Sequence, residues 1–285
     1  TCCVCCAFTI VTFLIDIERF EFPEKAIFFE FPEKAIFYMA ICYLLVSATY
    51  MVGLVEEDSL SCAVSSATKQ QLVTQGNEGN ENILCSAVAV VHYFFNFAGT
   101  LWWLVLCFSW FLVTTLKWGE APVGQVSSYF NILAWSYFNI LAWSLPAIGS
   151  VLLVAMGAVD GDMFTGICSL GNLRPEFYFR LALVPQSIAI GVGLVLFASG
   201  VGLVLFASGF VSILRIRSYI KGHRFVTDKS SDKLSKLMFR IGCFSLVYVL
   251  PMAVGIFCAF YQTENIGHWL TNWLSNECFL ATNLP

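Results

Sequence analysis

Four cysteines crowd into the first six residues, at Cys2, Cys3, Cys5 and Cys6, a density that in a polar setting would suggest a thiolate metal site. They sit inside an apolar run, where packing is the better reading. His92 and Asn96 lie one helical turn apart and have the chemistry of a small polar site. In an apolar helix they read as a satisfied pair inside a bundle. Asp160-Gly161-Asp162 offers two carboxylates around a glycine. It reads as a tight turn, with Gly161 at positive φ and the aspartates capping it. Calcium would need more oxygen ligands than these two. No apolar stretch carries a paired carboxylate, a His–carboxylate set or a metal-binding His motif. Neither an enzyme nor a metal or cofactor site is therefore expected.

The remaining chemistry is electrostatic. Eight of the 15 basic residues fall within residues 215–240: Arg215, Arg217, Lys221, Arg224, Lys229, Lys233, Lys236 and Arg240. An apolar run precedes this stretch and another follows it. Such a segment attracts anionic lipid at about 1 kcal/mol per Lys or Arg, and it can also dock a protein partner. Ser218, Thr227, Ser230, Ser231 and Ser235 would change its charge if phosphorylated.

What must position these groups is a set of membrane helices. The chain is 58% hydrophobic and 12% charged, too little charge for a soluble surface. A spanning helix needs roughly 20 mostly apolar residues. Five runs qualify, at 35–55, 83–116, 129–158, 181–214 and 241–262. A sixth, at 1–15, is apolar but short, and reads as a helix cut by the start of the chain rather than a signal peptide. Backbone satisfaction in lipid makes these spans helices, since a barrel would show alternating strands. The fold class expected is an all-α membrane protein.

Charge orients the bundle. With residues 215–240 placed inside, the inner loops hold twelve basic residues, including Arg19, Lys25, Lys34 and Lys117. The outer loops hold only Lys69, Arg174 and Arg180. That bias puts the N-terminal side outside. Cys62, Cys85, Cys168 and Cys278 then lie on or beside the outer face, where disulfides persist. Cys42, Cys107, Cys243 and Cys258 read as small apolar helix residues. Lys117 and Trp118 suit a membrane-boundary anchor.

Three segments repeat word for word: residues 20–28 at 29–37, 129–136 at 137–144, and 191–199 at 200–208. Nine extra helical residues rotate everything downstream by about 180° and lengthen the helix by roughly 13 Å. A bilayer tolerates that poorly. The copies therefore read as segments stitched twice, within one domain spanning residues 1–285.

Several motifs occur in order along this frame: Trp102-Trp103 and Trp110-Phe111, Lys117-Trp118-Gly119, Ala142-Trp143-Ser144-Leu145-Pro146, Val159-Asp160-Gly161-Asp162, Arg215-Ile216-Arg217, and Lys233-Leu234-Ser235-Lys236-Leu237-Met238. Together they closely resemble the membrane domain of Frizzled receptors, the seven-helix receptors for Wnt proteins. Lys-Trp-Gly, Arg-Ile-Arg and the Lys-Leu-x-Lys-Leu-Met run are similar to Frizzled rather than to its relative Smoothened. The Val-Asp-Gly-Asp segment fits either. Read residue by residue, Trp102, Trp103 and Trp110 are packing and interfacial aromatics.

The resemblance implies a heptahelical bundle, here with about six helices, the first truncated and the seventh absent. It implies a disulfide between Cys85 and Cys168, and further disulfide roles for Cys62 and Cys278 with partners outside the chain. It implies that Lys117, Trp118, Arg215, Arg217, Lys221, Lys233 and Lys236 contact a cytoplasmic partner, Dishevelled or in some members a G protein. Arg240 would act as an activation switch by packing on an aromatic of the seventh helix. A cation over a ring contributes about 0.5–2 kcal/mol. The expected function is Wnt reception at the plasma membrane, with Wnt bound through a Cys-rich domain outside the chain. Nucleic acid is not an expected partner.

Other classes fit less well. A Smoothened-like Hedgehog transducer shares part of the pattern. A rhodopsin-like receptor would carry an acidic-Arg-aromatic triplet where this chain has Leu116-Lys117-Trp118. A secondary transporter would show intramembrane charges or inverted halves with broken helices.

Overall fold

A computed structural model describes residues 2–15, 30–56, 62–64, 71–73, 83–116, 125–162, 165–171, 175–200, 243, 247–269 and 271–272. Six helices dominate. They are α1 (Cys2–Ile15), α2 (Glu30–Glu56), α3 (Ile83–Leu116), α4 (Gln125–Ala155), α5 (Pro175–Gly200) and α6 (Val247–Trp269). All but α1 are long and apolar enough to cross a membrane, by length and composition. Each of these five overlaps one of the five runs expected from hydropathy. The fold is an all-α membrane bundle.

α3 lies at the centre. It packs against both α2 and α4. Its middle is buried almost all round, with Leu101, Trp102, Trp103, Val105, Leu106 and Cys107 all in the core. A helix that is apolar on every face belongs inside a bundle. The other helices bury one stripe and expose another. On α4, Val151 and Val154 point outward while Leu153 is buried. Such outward apolar faces are what lipid requires.

In the 137–144 copy of the α4 repeat, Tyr137 and Ile140 are exposed while Phe138 and Trp143 are packed. Phe138 meets Phe108, with ring centroids 5.1 Å apart. Trp143 meets Tyr38, Phe94 and Trp102.

Two short antiparallel hairpins join helices, and hydropathy did not anticipate either. β1 (Cys62–Val64) pairs with β2 (Gln71–Val73), and β3 (Val159–Gly161) pairs with β4 (Cys168–Leu170). The second grows directly out of the end of α4. Gly157, at φ 57°, lets the chain leave the helix. The Gly157 N–H donates to the Val154 carbonyl and the Ala158 N–H to the Leu153 carbonyl, the two bonds of a Schellman cap.

β3 corrects the reading of Asp160-Gly161-Asp162 as a tight turn. Residues 159–161 are extended, in register with 168–170, and Gly161 is not among the positive-φ glycines. The reversal comes later. The Asp162 N–H donates to the Ile167 carbonyl, the Gly166 N–H donates to the Asp162 carbonyl, and Gly166 takes φ 69°. The Thr165 hydroxyl donates to the Asp162 carboxylate at 2.6 Å. Asp162 thus acts at the turn through both its backbone and its carboxylate. Asp160 is fully buried in the strand.

Candidate functional site

The bundle has two constructed regions, a cap at the end where α3 begins and an aromatic layer across its middle. In the cap, Cys85 opens α3 and Cys168 opens β4. The structure bonds them, with Cα atoms 5.2 Å apart and 83 residues between them. Closing a loop of that length stabilises the folded chain by about 4–5 kcal/mol in the chain-entropy model.

The hairpin also seats mechanically. Ile167 is buried against Gly53, near the end of α2, where any Cβ would collide with the Ile167 side chain and lie 3.2 Å from the Gly166 carbonyl oxygen. Below the hairpin, Thr49 of α2 meets Nδ1 of His92 on α3 at 3.0 Å. The Tyr50 ring stands edge-on to the imidazole, 5.2 Å away. The partner of His92 is therefore Thr49 on the neighbouring helix, not Asn96 one turn along its own. Spacing along one helix shows which residues share a face. It does not show what the next helix brings to that face.

In the aromatic layer, Trp102 and Trp103 are completely buried and Trp110 nearly so. Trp102 stacks on Tyr38 at 4.6 Å between centroids. Trp103 stacks on Tyr248 of α6 at 5.3 Å, and Trp110 faces Phe197 of α5 at 5.8 Å. The Tyr248 hydroxyl meets the Tyr43 hydroxyl from α2. Gly99 lets Tyr43 lie close against α3, since a Cβ there would sit 3.0 Å from the ring. Each aromatic pair adds about 0.5–1.5 kcal/mol beyond its buried area. These tryptophans tie α3 to α2, α4, α5 and α6 over about two helical turns.

Among the described residues, no group of three or more His, Cys, Asp or Glu could hold a metal ion. Cys42 and Cys107 are buried free thiols, while Cys243 and Cys258 lie on the outer surface. Cys2, Cys3, Cys5 and Cys6 are free, at the exposed or half-buried start of α1. This arrangement packs the helices around α3 and anchors them covalently at one end.

Residues 1–283 match the Frizzled/Smoothened family membrane region. The chain belongs to that family. It is 41% identical over 277 residues to protein mom-5 of Caenorhabditis elegans, with 97% of the chain and 44% of mom-5 covered. It is 34% identical to Frizzled-3 of Xenopus laevis over 95% of the chain, covering 36% of that protein. It is 33% identical to Frizzled of Drosophila melanogaster over 97% of the chain, covering 44% of that protein. The chain thus spans less than half the length of these curated relatives.

The remaining residues singled out from the Frizzled-like motifs fall elsewhere. Cys62 begins β1, its backbone paired with Val73. Cys278, Lys117, Trp118, Arg215, Arg217, Lys221, Lys233, Lys236 and Arg240 lie outside the described residues. The Tyr43–Tyr248 contact and the seating of Ile167 on Gly53 had no signal along the chain. Each depends on two helices or a hairpin meeting face to face.

Proposed function

We propose that this chain is the membrane region of a Frizzled-class Wnt receptor. The observation that carries this is the family match over residues 1–283, with Frizzled proteins among the most similar relatives. In this reading the protein sits in the plasma membrane with its N-terminal side outside. Wnt binds through the Cys-rich domain the family carries, and the bundle relays the signal inward. Cys85 and Cys168 secure the outer cap, and Cys62 and Cys278 join outer disulfides beyond it.

On the inner face, Lys117, Trp118, Arg215, Arg217, Lys221, Lys233 and Lys236 form a cationic surface for Dishevelled, and in some settings for a G protein. The same charges rest on anionic lipid. Arg240 restrains the inactive state. The protein signals by conformational change rather than by catalysis. The word-for-word copies are stitching overlaps, and coding DNA read across the three junctions would test that. If single transcripts carry both copies, the overlap reading is wrong.

The functional test uses a receptor completed with its flanking regions. Charge reversal at Lys233, Lys236 and Arg240 is expected to abolish Dishevelled recruitment and β-catenin output while surface expression holds. Unchanged recruitment at normal surface level would sink the inner-face assignment.

A further inference from the structure

α5 contains a break that its own sequence creates and that α3 repairs. Pro185 has no N–H, and in an α-helix it would leave the Leu181 carbonyl, four residues earlier, without its donor. The proline ring would also collide with that carbonyl. The helix widens just before it. Residues Phe179–Leu183 form a π-helical turn, closed by the Val184 N–H donating to the Phe179 carbonyl. Single π turns of this kind collect at functional positions.

The Leu181 carbonyl is not left alone. The Tyr93 hydroxyl reaches across from α3 and donates to it at 2.9 Å. Tyr93 is buried, and it can approach because Gly149 of α4 lies beneath its ring. A Cβ at Gly149 would collide with the Tyr93 hydroxyl and lie 2.8 Å from the ring edge. Three helices therefore meet at one hydrogen bond: α4 supplies the gap, α3 the donor and α5 the carbonyl displaced by its proline. Tyr93 lies two helical turns along α3 from the disulfide at Cys85, so the donor is carried by the covalently anchored end of the bundle.

We propose that Tyr93 is a positioning residue that sets the rotational register of α5. A π turn holds one more residue than an α turn, so gaining or losing it turns everything beyond by about 100°. With the hydroxyl in place, the far half of α5 presents Phe197 to Trp110. Without it, the displaced carbonyl loses that donor and α5 divides among registers. The joint thus connects the disulfide end to the half of α5 that carries Phe197. It rests on the geometry of this chain and not on the identity of any ligand.

The test reads helix register directly. p-Benzoylphenylalanine replaces Phe197 in the full chain expressed in cell membranes, and photocapture by the α3 peptide bearing Trp110 is measured by mass spectrometry. Tyr93→Phe keeps the ring and removes only the donor. It is expected to lower that capture about threefold to tenfold, the range for one interhelical hydrogen bond. Pro185→Ala restores the missing N–H, which straightens the turn and moves capture to other α3 residues. In that background Tyr93→Phe is expected to change nothing further. Gly149→Ala, which pushes the ring off Leu181, is read in the same two backgrounds and keeps the test open should Tyr93→Phe fail to accumulate. The proposal is overturned if Tyr93→Phe leaves capture unchanged beside Pro185, or if its effect is equal in both backgrounds. Because no Wnt or Dishevelled readout enters, a failed receptor assignment and a failed register assignment are told apart.

Discussion

α3 and α6 are both long apolar helices, yet the bundle holds them in opposite ways. The middle of α3 is buried nearly all round, and the helix is tied by a disulfide near one end and by three buried tryptophans. α6 buries no residue of its crossing window. Its described attachments are Tyr248 to Tyr43 and Trp103, Phe260 to Phe179 at 6.1 Å, and the half-buried Val249, Met252 and Ile256 against the core. Val247, Leu250, Val254 and Phe257 all face outward. Hydrophobicity alone does not distinguish a hub from a peripheral helix. In lipid, association rests on packing and on a few polar contacts, so the number of interlocking side chains decides how firmly a helix is held. A helix held at a few points is the one small changes can shift.

That contrast can be broken most forcefully at the hub. Cys85→Ser should remove about 4–5 kcal/mol, the loop-closure contribution of the disulfide. Thermal unfolding of the purified chain in detergent would register a large fall in midpoint. A midpoint unchanged from the parent would mean the seated hairpin anchors α3 without its covalent bond. Trp103→Ala should cost about 3–5 kcal/mol through the cavity it leaves. It should also free α6 from α3, which raises protease access near Tyr248.

The next effect is smaller and tests the cap alone. Gly53→Val forces a side chain into the space Ile167 occupies, at about 1–3 kcal/mol. Its signature would be faster reduction of the Cys85–Cys168 bond, because the hairpin no longer seats. Ile167→Ala in the Gly53→Val background should restore much of the loss. The mildest change belongs to α6. Tyr248→Phe should cost about 0.6 kcal/mol, the mean for an interhelical hydrogen bond in a membrane bundle. Val254→Ala, on the outward face, should be nearly neutral in the same assay, and a large loss there would overturn the picture of α6 as peripheral.

Much of this was legible along the chain. Five spanning helices follow from runs of apolar residues, because lipid demands both apolar surface and internally satisfied backbone. The Frizzled-like motifs were legible too, since each is a short local pattern. Other features were not. β3 is three residues long, within a stretch that reads as a turn, and its extended form comes from pairing with β4. Cys42 and Cys258 both sit singly in apolar runs, and only their surroundings make one buried and the other exposed. The partner of His92 was not legible, because it lies 43 residues away on another helix.

The fifth helix draws the line between the two sources of information. Sequence alone determines that Pro185 cannot donate and that Leu181 loses its usual α-helical donor, because the missing N–H is covalent chemistry. It does not determine who answers. That Tyr93 supplies the hydrogen bond, over the gap left by Gly149, was decided only when three helices packed at one level. A donor's chemistry is carried by its own residue type, whereas its reach depends on where every neighbouring backbone lies.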